Sequence, residues 1–131
     1  MLMNATMRPE EIVVKSVMIA EDNEDLRILF SAVFRKRGYQ VYAVEDGRQA
    51  LNLLNIHLPD ILILDVNMPY VSGLDLLKYI RESAVLKRVQ VILVSGNVMV
   101  ERMPEAAYAD LLLVKPVSPN DLVTLADRLV H

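Results

Sequence analysis

Two hydrophobic patterns alternate along the chain. The first is a short, nearly unbroken apolar run closed by polar or turn residues: Val17–Ala20, Ile61–Leu64, Val89–Val94 and Leu111–Val114. A strand covered on both faces needs no polar side, so these runs predict a parallel sheet sandwiched between helices. Tyr39–Val44 is more amphipathic and reads as an edge strand. The second pattern is helical. Leu26, Leu29, Phe30, Val33 and Phe34 recur at i, i+3, i+4, i+7 and i+8, and Gly38 stands where a left-handed C-terminal cap belongs. Asp46-Gly47 opens a second helix through Ala50, Leu51 and Leu54, and a third carries Leu74, Leu77 and Ile80. The last helix starts with Ser118 as N-cap, Pro119 in the first turn and Asp121 three residues after the serine, and carries Leu122, Leu125, Ala126 and Leu129.

Val98–Ala109 should supply the remaining helix, but Pro104 lacks an amide donor and crowds the preceding turn. That segment is therefore expected to be short, kinked or mobile. Residues 1–15 precede the first strand and are expected to form an irregular arm, with residues 16–131 making the domain. The resulting order, βαβαβαβαβα, predicts a doubly wound α/β sheet.

Composition narrows the classes. At 131 residues, 53% hydrophobic and 24% charged, the chain fits one globular domain and not a disordered segment. Fourteen Lys+Arg against 17 Asp+Glu leave a net charge of −3, and Trp is absent. Neither nucleic acid nor an anionic membrane is an expected partner of so mildly acidic a chain. The absence of Cys removes disulfides, thiolate metal sites and cysteine nucleophiles. The longest charge-free stretch, between Arg88 and Glu101, runs 12 residues, short of the roughly 18 a membrane span needs. The N-terminus lacks the apolar core of a secretion signal, so the expected compartment is the cytoplasm.

In an open parallel sheet, ligands bind beyond the carboxyl ends of the strands, where strand order reverses. The predicted first strand ends in Glu21-Asp22-Asn23, the third in Asp65, the fourth in Ser95 and the fifth in Lys115-Pro116. Each has an ordinary reading alone. Glu21, Asp22 and Asn23 can cap a helix and match its dipole, Ser95 before Gly96 can be a turn residue, and Lys115 can be solvated. Together, in this order, they form a site-like distribution.

The segments Val17-Met18-Ile19-Ala20-Glu21-Asp22-Asn23, Ile61-Leu62-Ile63-Leu64-Asp65-Val66-Asn67-Met68-Pro69, Val91-Ile92-Leu93-Val94-Ser95-Gly96 and Leu113-Val114-Lys115-Pro116 resemble the receiver domain of two-component response regulators. Glu45-Asp46-Gly47-Arg48-Gln49-Ala50-Leu51 and Ser72-Gly73-Leu74-Asp75-Leu76-Leu77 match as well, so the resemblance covers roughly residues 16–130. It implies a flavodoxin-like fold, a five-stranded parallel sheet in the order 2-1-3-4-5, with the first and third strands adjacent.

That adjacency would crowd Glu21, Asp22 and Asp65 into one pocket. At roughly 5 Å and an effective dielectric near 20, each carboxylate pair repels by on the order of 3 kcal/mol. A hard divalent cation is the natural relief. The resemblance implies Mg²⁺ held by Asp22, Asp65 and the backbone carbonyl of Asn67, with Glu21 acting through water. It further implies that Asp65 accepts a phosphoryl group from a phosphohistidine on a sensor kinase or phosphotransfer protein. Lys115 would neutralise phosphoryl charge, and the Ser95 hydroxyl would turn inward to report the modification. Pro116 is expected to follow a cis bond. Asn67 and Asn97 would flank the phosphoryl group and tune its loss.

One departure stands out. Three positions before Lys115 the family often carries Tyr or Phe, and here the residue is Leu112, with Tyr108 as the candidate substitute. His57 and His131 read as surface residues, and Met68 and the N-terminal methionines as packing or arm residues. Asp110 and Arg128 are candidates for a homodimer face. The domain is expected to be either a stand-alone regulator or a piece of a hybrid kinase or longer regulator, and to signal through contacts with a downstream protein. A haloacid-dehalogenase-like phosphatase also places Asp after an apolar strand, but it wants a second Asp two residues on, where this chain has Asn67. Glycines at 38, 47, 73 and 96 make neither a dinucleotide fingerprint nor a P-loop. A phosphorylation-independent interaction module on the same fold is the remaining alternative.

Overall fold

Five strands run parallel in the order β2-β1-β3-β4-β5 in a computed structural model that describes residues 14–130. Chain order is β1 (Ser16–Ala20), α1 (Glu24–Lys36), β2 (Gln40–Val44), α2 (Gly47–Leu54), β3 (Ile61–Asp65), α3 (Gly73–Glu82), β4 (Gln90–Ser95), β5 (Leu111–Val114) and α4 (Pro119–Val130). The chain leaves β1 towards β2 and returns to β3 on the opposite side, so the order reverses between β1 and β3. The expected fold class and strand order are those observed. The proposed arm lies almost wholly outside the described residues, as does His131.

The apolar runs are apolar because the sheet is covered twice. Val17, Ile19, Ile61, Ile63, Ile92 and Val94 point to one face, where Phe30 and Phe34 of α1 and Leu122, Val123 and Ala126 of α4 cover them. Met18, Ala20, Leu62, Leu64, Val91 and Leu93 point to the other, against Ala50 and Leu54 of α2 and Leu76, Leu77 and Ile80 of α3. Met68 packs partly buried against this second layer. β2 is an edge strand, as its mixed pattern predicts. Gly38, at φ +93°, ends α1 in the left-handed conformation expected of it. Ser118 Oγ accepts from the Asp121 amide at 3.4 Å at the start of α4.

The connection between β4 and β5 differs from a full helix. It forms two 3₁₀ turns, Val98–Arg102 and Pro104–Tyr108, joined at an extended Met103 (φ −81°, ψ 131°). Proline pushes the residue before it out of the α region, which is why the break falls at Met103. The turns bury only Val100 and Ala106. They leave Val98, Met99, Met103 and Tyr108 exposed and β5 half-buried along its length. Among the described residues no helix is long and apolar enough to cross a membrane.

Candidate functional site

The β1–α1 loop begins where the sheet lets go of β1. The Glu21 amide makes a last bond to Val44 O at 3.1 Å. Asn23 then takes the N-cap role for α1, its Oδ1 accepting from the Leu26 amide at 3.0 Å. Asn23 leaves the cap itself free of Glu21 and Asp22, although Glu21 Oε2 accepts from the Asn23 amide at 3.1 Å. Glu21 is buried, Asp22 exposed, and Asp65, the last residue of β3, buried. Their carboxylate oxygens lie within 4.8 Å of one another.

Asp65 is oriented from two sides. Its Oδ1 accepts from the Asn67 amide at 3.2 Å, and its Oδ2 lies 3.4 Å from Lys115 Nζ. The same ammonium reaches Glu21 Oε1 at 2.9 Å. Lys115 thus straps two of the three acids together from the end of β5, with its own carbonyl joined to Pro116 through a cis bond. Burial pushes the Asp65 carboxyl up to about 7; Glu21 and Asp22 add to the rise, and Lys115 opposes it. Burial also pulls the Lys115 ammonium down, but its bond to Glu21 and the charge of Asp65 outweigh this, and its pKa ends above the ordinary value.

Ser95 is fully buried at the end of β4. Its Oγ accepts from the Asn97 amide at 3.0 Å and donates to the Asn97 carbonyl at 3.1 Å, so the hydroxyl is satisfied inside its own turn. Asn67 and Asn97 are exposed at the rim. Leu112 is half-buried against the α2–α3 layer, and Tyr108 is 56% exposed. His57 stacks on Tyr42 at 4.7 Å, well separated in the chain from these residues. Asp110 is bonded within the chain, to Arg81 Nη2 and the Val91 amide at 2.8 and 2.7 Å.

Three determinants carry weaker sequence signals. A Cβ on Gly73 would sit 2.3 Å from Asp65 O, and one on Gly47 would sit 2.1 Å from Val71 O. Both glycines let helix starts press against the loop that follows Asp65. Between them Tyr70, exposed and at φ +71°, lies beneath Arg48, whose guanidinium is 3.9 Å from the ring centre. The third is Arg27, whose Nη1 donates to Glu21 O at 2.9 Å.

The donor set suits a hard cation. Octahedral Mg²⁺ binds oxygen at about 2.0–2.1 Å, which places neighbouring ligands about 3 Å and opposite ligands about 4 Å apart. Oxygens already within 4.8 Å of one another need little movement to meet that demand. The acidic cluster can therefore hold a metal ion.

The model of the response regulator receiver domain matches residues 17–127. The chain belongs to the response-regulator receiver family. It is 35% identical over 119 residues to the polar-differentiation response regulator DivK of Brucella anthropi, an alignment covering 88% of this chain and 96% of that protein. The structure of the chemotaxis response regulator CheY4 of Vibrio cholerae superimposes with a TM-score of 0.82 at 28% identity, covering 89% of this chain and 99% of the other. The response regulator TrrA of Thermotoga maritima, solved in complex with Mg²⁺–BeF, gives 0.81 at 26% identity, with 88% and 99% covered. This receiver is accordingly a two-component signalling domain, a family that works with histidine kinases or phosphotransfer proteins and with downstream targets.

Proposed function

We propose that this receiver is phosphorylated on Asp65 with the help of Mg²⁺, and that Ser95 converts the modification into a change of the surface after β4. The observation that carries the reading is the convergence of Glu21, Asp22 and Asp65 within 4.8 Å, with Lys115 Nζ 3.4 Å from Asp65 Oδ2. The donor is a phosphohistidine of a sensor kinase or phosphotransfer protein. One carboxylate oxygen of Asp65 forms a bond to phosphorus as the phosphorus–nitrogen bond breaks, and the imidazole leaves with the electron pair of that bond. The attacking group must be ionised, and Lys115 favours that state by opposing the effect of burial.

Asp22, Asp65 and the Asn67 carbonyl are the proposed metal ligands, with Glu21 acting through water. Mg²⁺ bound there supplies positive charge against the phosphoryl oxygens and relieves the repulsion among the acids. Lys115 stays within reach of a phosphoryl oxygen after transfer. For Ser95 to donate to that group, its hydroxyl gives up the bond it donates to the Asn97 carbonyl, worth roughly 1 kcal/mol. That exchange couples the modification to residues 96–103. The nearby solved complex of TrrA with Mg²⁺–BeF supports a similar role for the metal here.

Incubation with acetyl phosphate and Mg²⁺, followed by intact-mass measurement, tests the reading. Wild type should gain one phosphoryl group, Asp65→Asn none, and Asp22→Ala should gain it more slowly and bind Mg²⁺ more weakly. Unmodified wild type would point instead to an interaction module that works without phosphorylation.

A further inference from the structure

Arg27 lies near the start of α1, whose first turn carries Glu24 and Asp25. A cation there opposes the helix dipole and weakens the helix when nothing compensates it. Its surroundings show what compensates it. Nη1 donates to Glu21 O at 2.9 Å and lies 3.4 Å from Asp22 O. Nη2 lies 3.9 Å from Glu45 Oε2 at the end of β2, and only 18% of the Arg27 side chain is exposed. The carbonyls of Glu21 and Asp22 fall between the end of β1 and the start of α1, outside both regular ladders. Arg27 takes both through one nitrogen, Nη1.

We infer that Arg27 is a positioning residue for the acidic cluster. One arm of its planar fork, Nη1, holds the backbone carbonyls of the two consecutive acids, and so fixes the direction in which their carboxylates leave the loop. Glu45 steadies the other end of the fork, and is itself bonded to Gln49 through its amide and its Oε1. Arg27 would touch neither metal nor phosphoryl group. It acts by holding Glu21 and Asp22 in register with Asp65, as groups behind metal ligands commonly do. The inference rests on the proposed Mg²⁺ site.

Charge and geometry predict opposite results, which makes the idea testable without measuring phosphorylation. Arg27→Met removes a cation near a cation site, so a purely electrostatic role would tighten Mg²⁺ binding. A merely structural role would lower the melting temperature and leave the Mg²⁺ affinity of the folded protein unchanged. Positioning predicts weaker binding, by about tenfold or more. Isothermal titration of the full chain with MgCl₂, below the melting temperature of each variant, reads the difference. Arg27→Lys keeps the charge without the fork and should fall between wild type and Arg27→Met; it also serves if the Met variant fails to fold. Equal or tighter binding by both variants would overturn the inference. Failure of wild type to bind Mg²⁺ would instead overturn the proposed metal site.

Discussion

Replacing Asp65 by Asn should stabilise the metal-free protein, because it removes a charge the fold opposes. A carboxyl whose pKa rises from 3.8 unfolded to about 7 folded costs about 4 kcal/mol of stability once it is ionised. Between those values the folded chain holds a proton that the unfolded chain has released, so wild-type stability falls as pH rises. The cost is absent below about pH 4 and fully present above about pH 7. Asn has nearly the shape of the protonated acid and does not titrate. The variant should therefore match wild type near pH 4 and exceed it at pH 8. For a domain of this size the gap corresponds to roughly 15 °C in melting temperature. Thermal melts followed by circular dichroism in EDTA, from pH 4 to 8, measure it. Added Mg²⁺ should narrow the gap, since it binds and stabilises folded wild type. A variant that melts at or below the wild-type temperature at pH 8, or a difference that does not grow with pH, would refute the crowding argument.

Gly73→Ala should destabilise by about 1–3 kcal/mol, since its Cβ meets only backbone, at Asp65 O and Val66 Cα. Urea denaturation gives that value, and the same variant should incorporate phosphate more slowly because Asp65 must shift. Arg81 donates to the carbonyls of Tyr108, Lys87 and Val89 and to the Asp110 carboxylate at 2.8–3.0 Å. Arg81→Met should cost about 2–4 kcal/mol and speed amide exchange around residues 104–110, read by hydrogen–deuterium exchange.

Much of this molecule was legible in its residue pattern, for one reason. Strands buried on both faces tolerate few polar side chains, so Glu21-Asp22, Asp65, Ser95 and Lys115 stood out at their ends, and four helices followed from spacing and caps. What stayed hidden depends on distances between segments. Nothing local marks Gly73 as a close approach to Asp65 rather than a helix opener. Arg81 reads as a solvated cation in the last turn of α3, yet it is largely enclosed by three carbonyls from two segments. Arg27 did carry a signal, a cation beside the acidic opening of a helix. Pro104 foretold an interrupted helix, but not its division into two 3₁₀ turns.

That division sets how far a disturbance can travel. The first turn hangs from Gly96 and Asn97, next to the Ser95 hydroxyl, while the second is moored at its far end by the Arg81 fork. Met103 works as an elbow between them. A rigid rod spanning the whole interval would carry any tug at its near end straight to Tyr108. On the proposed reading the elbow would absorb it and confine reshaping to the upstream half, where Val98 and Met99 already face solvent. A partner that senses the modified state would feel those side chains move while Tyr108 stays still.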